Sequence, residues 1–302
     1  MTTMTRRSRR RLLSAALLAT TLGAAATANA KAAAAVGSAE CAPPPEKPQT
    51  LLRLQQAPEF HAELDVVNKY VSRGLVAVDD PVLQPCVGMA WGGFDLCLWG
   101  NLDTTDYGAG RYNNREWRFS ETDVCLTYSH TFSKDVHESL PTSLELGGGA
   151  RYENYDGTQC DDTVKLLAWA TLPDLPVTPT LAAEWDADET HGLYLNFSVE
   201  HSIPLIKGAD GKADPLCLVL GAGIGWGDDN QNEADFGVSS QRFSDAGVAA
   251  KLVWALTEHV QVAPFVRYTD FVSNPLRQAA ADANDNGSSE QFVYGLNLSF
   301  AL

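Results

Sequence analysis

Beyond its first thirty residues this chain has little that is uninterruptedly hydrophobic, and nothing approaches the roughly eighteen apolar residues in a row that a spanning helix needs. A helical anchor in the exported part is thereby excluded. Positive charge is also scarce: 22 Lys and Arg stand against 38 Asp and Glu, a net charge of -16. A nucleic-acid partner is not expected, because phosphate contacts need clustered bases. The six cysteines include no C-x-x-C pair, so no zinc site is expected, nor any other metal or cofactor. Catalytic constellations are equally thin. His191 and His201 fall on one run with no serine assignable to either. The acid pairs Glu184 with Asp186 and Asp228 with Asp229 would suit a glycosidase or Ca²⁺, but acidic loops on exported proteins are usually solvated surface. No enzymatic activity is expected.

The bases that do cluster are Arg6, Arg7, Arg9, Arg10 and Arg11, followed by an apolar stretch over 12–28 and the small-residue site Ala28-Asn29-Ala30. This is the pattern of a secretory signal peptide, 1–30, cleaved after Ala30. The arginines also resemble a twin-arginine signal, but that route carries folded proteins, so general secretion is the expectation. Residues 31–58, Ala-rich and then Pro-rich at Pro43, Pro44 and Pro45, read as a periplasmic linker, with a plug for whatever follows as the alternative. Cys41 is not a lipoprotein cysteine, since Glu40 stands where a small residue belongs.

The final stretch, 291–302, sets the pattern for the rest. Phe292, Tyr294, Leu296, Leu298, Phe300 and Leu302 fall on one parity, and Gln291, Asn297 and Ser299 on the other. That is a period of two, a strand with one apolar face. The same two-faced pattern recurs over 59–71, 82–91, 94–103, 121–132, 142–155, 163–172, 178–187, 192–202, 216–227, 243–254 and 258–272. Ionised residues within these runs keep to a single parity, strand ends excepted, as expected where a Lys or Arg facing mid-bilayer lipid costs about 2–4 kcal/mol. Aromatics including Phe60, Tyr128, Tyr152, Trp185, Trp226, Trp254, Tyr268 and Phe300 tend towards the ends of the apolar rows, where interfacial girdles would lie. Gly92-Gly93 is a tight hairpin turn. Loops alternate between long and polar (104–120, 227–242, 273–289) and short (92–93, 173–177, 255–257), with 203–215 as an exception. The expected fold is all-β: an antiparallel up-and-down transmembrane β-barrel of about 12 strands over 59–302, closed by pairing of 291–302 with 59–71.

Three segments carry a family likeness: Asn68-Lys69-Tyr70-Val71-Ser72-Arg73-Gly74, then Asp79-Asp80-Pro81-Val82-Leu83-Gln84, then Phe94 with Leu98-Trp99-Gly100-Asn101. They resemble the N-terminal hairpins of the TorF-type porin family, small barrels of the bacterial outer membrane. The resemblance implies an outer-membrane, porin-like protein in a Gram-negative-type envelope, with no particular solute. Two features depart from the pattern: the chain ends in Leu302 where an aromatic is usual, and several strands carry cysteine.

The inward parity supplies the candidate pore-lining residues Glu63, Asp65, Lys69, Arg73, Asp123, Glu145, Arg151, Glu153, Lys165, Glu184, Lys251 and Arg267. Over the whole inward parity of the runs roughly eleven carboxylates stand against five bases, Lys69, Arg151, Lys165, Lys251 and Arg267, which would favour cations in a narrow bore. The alternative is that the charges pair across strands and fill the bore. Arg73-Gly74 reads either as a constriction, as the resemblance suggests, or as a plain turn. Cys86, Cys97 and Cys125 fall inward on successive strands, with Cys86 and Cys97 as diagonal neighbours. The expected function is passive diffusion of small solutes or ions, and the alternative a non-conducting structural or adhesive barrel that binds through its extracellular loops. Expected partners are outer-membrane lipid, the solutes or ions themselves, and the barrel-assembly machinery, which would read the C-terminal strand.

Overall fold

A computed structural model describes residues 57–106, 116–134, 142–155, 160–208 and 214–302. The signal peptide and almost all of the linker expected from the sequence lie outside the described residues. Among the described residues fourteen strands and two helices follow one another: β1 (Glu59–Val67), β2 (Tyr70–Ser72), β3 (Leu75–Val78), β4 (Val82–Trp91), β5 (Phe94–Asp103), β6 (Arg118–Phe132), β7 (Leu144–Asn154), β8 (Thr163–Thr171), β9 (Thr178–Asp186), β10 (Leu193–Ile206), β11 (Leu216–Gly227), α1 (Asp229–Phe236), β12 (Arg242–Ala255), β13 (Val260–Phe271), α2 (Asn274–Ala283) and β14 (Gln291–Ala301). Twelve of the strands form one closed antiparallel barrel in which sequence neighbours are also neighbours in space, and β14 closes on β1. Leu64 faces Leu298 and Asp65 faces Asn297 across that seam. Closure leaves no unpaired edge, a requirement wherever water cannot satisfy the backbone.

Alternation of side chains gives the barrel two unlike surfaces. Each of the twelve wall strands carries at least one large apolar side chain exposed on the outside, among them Val87, Leu98, Leu126, Phe197, Val248 and Phe292. A soluble monomer rarely exposes a contiguous apolar patch beyond a few hundred Å². A belt around the whole barrel is the surface of a protein solvated by lipid. Phe60, Tyr152, Trp185, Trp254, Tyr268 and Phe300 are among its exposed aromatics. The inside holds the polar and charged residues, with Asp95, Asp123, Arg151, Glu153, Lys165, Glu184 and Asn297 all buried.

One end of the barrel carries tight turns, including Gly92 and Gly93, both at positive φ between the paired Trp91 and Phe94. The other end carries the longer connections, among them the two helices. The sequence exception at 203–215 shrinks, because β10 runs on to Ile206 past a register shift after Pro204. Both helices fall in stretches that read as polar loops. Their signals are local: the Asp228 side chain accepts from the Gln231 N–H to cap α1, Gly237 ends it in the left-handed conformation, and α2 has Pro275 in its first turn.

The first strand departs from the expected range. Instead of running to Val71, β1 leaves the wall after Val67, and Tyr70 to Val78 form a separate two-stranded hairpin, β2–β3. Its turn is Arg73-Gly74, at φ 46° and 81°. Val71, Val76 and Val78 pack against Trp99, Cys86, Cys97, Cys125, Leu167 and Val293 on the inner wall. The hairpin is therefore inside the barrel. Inside, the Tyr70 hydroxyl and the Arg73 charge each meet a carboxylate, Glu121 and Glu184, which lipid would not offer them.

Candidate functional site: the lumen and its inserted hairpin

The hairpin lies at the loop end of the lumen and is gripped from three directions. At its tip, Leu75 packs with Phe236 of α1, Phe271 of β13 and Leu276 and Ala280 of α2. Phe236 meets Phe271 edge to face, centroids 5.1 Å apart. Asn284, just past α2, accepts from the Val76 N–H at 2.8 Å and donates to the Gly74 carbonyl at 3.3 Å. The connections β11–β12 and β13–β14 thus fold back over the tip of the hairpin. From β13, Arg267 donates to the Val71 carbonyl at 3.1 Å.

Arg73 is the electrostatic anchor. Only 1% exposed, it donates to Glu184 Oε2 on β9 at 2.7 Å and to Asp235 Oδ2 on α1 at 3.4 Å. Its guanidinium sits 4.0 Å from the ring centroid of Tyr194 on β10. Arg73-Gly74 is thus a turn, but its arginine is buried and paired rather than solvated. Burial pushes the Asp235 carboxyl up, to about 6, against the opposing pull of Arg73 and Lys165.

Around the wall the charges run on as a network. Glu184 also accepts from Arg151 Nη2 at 3.3 Å; Arg151 holds Glu153 at 2.6 Å, and Glu153 in turn holds Lys165 at 2.8 Å and accepts from the Tyr155 hydroxyl at 2.6 Å. Asp123 lies 3.8 Å from Arg151. On the same face Glu121 accepts from the Tyr70 hydroxyl at 2.9 Å, tying the base of the hairpin to β6.

The twelve sequence-predicted residues divide accordingly. Arg73, Asp123, Arg151, Glu153, Lys165 and Glu184 come together in this network, and Arg267 joins it by holding the hairpin backbone. Lys69 instead pairs with Asp79 across the base of the hairpin. Glu63, Asp65 and Lys251 lie on the wall away from it; Asp65 accepts from Asn297 at 2.7 Å, and Lys251 faces Val219 and Phe265 across its two neighbouring strands. Glu145 is at the turn end, accepting from Trp169 Nε1 at 3.0 Å. Sequence reasoning missed Glu121, Tyr70, Tyr194 and Asp235. Glu121 carried a usable signal, since it shares the parity of Asp123; Asp235 carried none, lying in a stretch read as loop.

Other candidates resolve into structural roles. Asp186 accepts from the Thr163 hydroxyl and from the backbone N–H groups of Asp188 and Glu189, Asp228 caps α1, and Asp229 lies in its first turn. His191 and His201 do not share a strand: His191 precedes β10 at the loop end, whereas His201 lies towards its other end beside the Pro176 carbonyl. Cys86, Cys97 and Cys125 are free, buried thiols; Cys97 faces Cys125 directly and, through its pairing with Gly88, is diagonal to Cys86.

No family model and no curated protein matches the sequence. Among solved structures, an outer membrane channel from Pseudomonas putida F1 is similar over 85% of this chain and 100% of its own, at 12% identity and TM-score 0.49. The NanC porin is similar over 80% of this chain and 100% of its own, at 8% identity and TM-score 0.46. The KdgM porin covers 80% and 98% in the same sense, at 7% identity and TM-score 0.43. Likenesses this distant carry no functional argument. The closed barrel and its lumen stand on their own geometry.

Proposed function

We propose that this is an outer-membrane channel of porin type, exported by its N-terminal signal peptide and narrowed at the loop end by the hairpin Tyr70 to Val78. The observation that carries the reading is a polar lumen inside an apolar belt, with a hairpin anchored across that lumen from Arg73 to Glu184. A polar, charged lining is what a water-filled path for ions or small solutes would use. The wall away from the hairpin carries Glu63, Asp65, Asp95, Glu145 and Glu200 against Lys251, which supports weak cation preference. The segment that resembles the TorF-type porins, 68–74, forms the first half of this hairpin and its turn, so the resemblance and the constriction concern the same residues. The substrate class is small ions or solutes, and no catalytic role is assigned. Assembly would proceed through the C-terminal strand, which completes the barrel by pairing with β1.

A second reading, a non-conducting structural barrel, is favoured by the extent to which ion pairs and apolar contacts fill the loop end. Reversal potential in a salt gradient across a planar bilayer separates the readings. Small conductance steps with a potential displaced towards the cation equilibrium support the channel. Anion preference would remove the selectivity, and absence of any conductance would leave the structural reading.

A further inference from the structure

Three buried carboxylates converge where β6 and β7 meet behind the hairpin. Glu121 and Asp123 lie two apart on one strand and share its inward face, and Glu153 is the cross-strand partner of Asp123. One oxygen from each lies within 4.8 Å of the other two. Like charges this close inside a protein need a counter-charge. The nearby cations are largely committed: Lys165 to Glu153, and Arg151 to Glu153 and Glu184, with Asp123 only at 3.8 Å. Asp123 is 2% exposed, and neither of its carboxylate oxygens has a hydrogen-bond partner. Glu121 Oε1 is likewise buried and without a hydrogen-bond partner. Three buried acceptor oxygens on two of these carboxylates thus lack a hydrogen-bond donor, a costly arrangement for groups removed from water.

Charge balance gives the same answer. Within the network Glu121, Asp123, Glu153, Glu184 and Asp235 face Arg73, Arg151, Lys165 and Arg267, of which Arg267 is spent on the Val71 carbonyl, so at least one negative charge is left over. We propose that Glu121, Asp123 and Glu153 bind one divalent hard cation, Ca²⁺ by preference, at the foot of the hairpin. All the donors are oxygen, which excludes a soft metal. Two oxygens each about 2.4 Å from a shared Ca²⁺ lie at most about 4.8 Å apart, so the cluster is within the reach of one ion. Because Tyr70 donates to Glu121 Oε2, the ion would also fix the hairpin to the wall through that carboxylate. The site does not depend on whether the barrel conducts, and its test is one of binding.

The full chain, refolded into detergent free of lipopolysaccharide and dialysed against a chelator, is titrated with Tb³⁺, whose emission is sensitised by neighbouring aromatic rings. Tyr70 and Tyr155, each hydrogen-bonded to a carboxylate of the cluster, are placed to sensitise it. The expected result is emission that saturates at one ion per chain, is displaced by Ca²⁺ more readily than by Mg²⁺, and accompanies a rise in thermal unfolding temperature. Asp123→Asn should weaken binding roughly tenfold or more through loss of a coordinating charge. Glu121→Gln serves the same purpose where Asp123→Asn does not fold. Glu258→Gln, at an exposed turn, should leave binding unchanged. Absence of a saturable site in the unaltered chain overturns the proposal and would mean that the carboxyls hold protons instead. Saturable binding equally strong in Asp123→Asn and Glu121→Gln also overturns it, by placing the ion elsewhere.

Discussion

Replacing Arg73 by alanine should release the hairpin while leaving the barrel standing. Removing one partner of a buried ion pair costs about 3–5 kcal/mol, chiefly because the other charge is left without compensation. Here Glu184 keeps Arg151 at 3.3 Å, which argues for the lower part of that range. Asp235 loses the only cation with which it forms an ion pair among the described residues, and the guanidinium over Tyr194 adds about 1 kcal/mol. A loss of about 3–4 kcal/mol in docking raises the open population some two to three orders of magnitude, at 1.4 kcal/mol per tenfold. Hydrogen exchange read by mass spectrometry over 70–78 measures this directly, and the Val76 amide, bonded to the Asn284 side chain, is the most informative single probe. Amides of β11 serve as the internal reference, since their partners are all in the wall. Unchanged exchange in the hairpin would refute the reasoning. Equal acceleration in β11 would mean that Arg73 supports the barrel rather than the docking.

Three further outcomes follow from the geometry. The raised carboxyl of Asp235, about 6 against an ordinary 3.8, means that the folded state binds this proton more tightly; its contribution to docking of α1 is complete below pH 3.8 and lost as pH rises through 6, about 3 kcal/mol at most. Exchange of the α1 amides measured between pH 4 and 7, corrected for intrinsic rates, should show that slope, and Asp235→Asn should abolish it. Gly74→Ala would put a Cβ 2.6 Å from Phe271 at φ 81°, and should cost about 2–4 kcal/mol of hairpin docking, whereas Gly287→Ala, at φ 67° with nothing within 4 Å, should cost about 1 kcal/mol; limited proteolysis of the two variants ranks them. Leu126→Arg, on the outer face between Leu96 and Ala150, should lose about 2–4 kcal/mol of folding into vesicles, read from the heat-dependent gel shift of folded barrel, while Leu126→Ala should lose less.

The barrel was legible because its signal is local. Parity along a run needs only the run itself, and β4, β5 and β11 fall on the residues that alternation assigns. Most other strand ends moved by one to four residues, more often inward, where a turn or loop takes the end of an alternating run, than outward, as where β10 continues through Pro204 to Ile206. The hairpin was not legible in the same way. Alternation from Glu59 weakens after Val66, where Asn68 falls on the apolar parity and Val67 and Val71 on the polar one, but that does not tell where the chain goes next. What decides it is contact at long separation: Tyr70 with Glu121, Arg73 with Glu184 and Asp235, Val76 with Asn284. The charge network falls between these extremes. Segregation to one face was readable, so half of the expected lining residues do converge, but which carboxylate meets which base depends on register between strands. Asp123 opposite Glu153 is a fact of pairing that no single strand contains. The helices were the avoidable miss, since Asp228, Gly237 and Pro275 are capping signals at ordinary spacing.

Docked across the lumen, residues 70–78 are proposed to narrow a conducting path. The most direct test is single-channel recording in planar bilayers of the unaltered chain beside a variant in which 69–80 is replaced by a short glycine-rich link joining β1 to β4. The account predicts small steps from the unaltered chain and steps several-fold larger from the variant, both retaining cation preference. Equal conductance in the two would contradict it, because a hairpin anchored across the lumen could not then be the constriction.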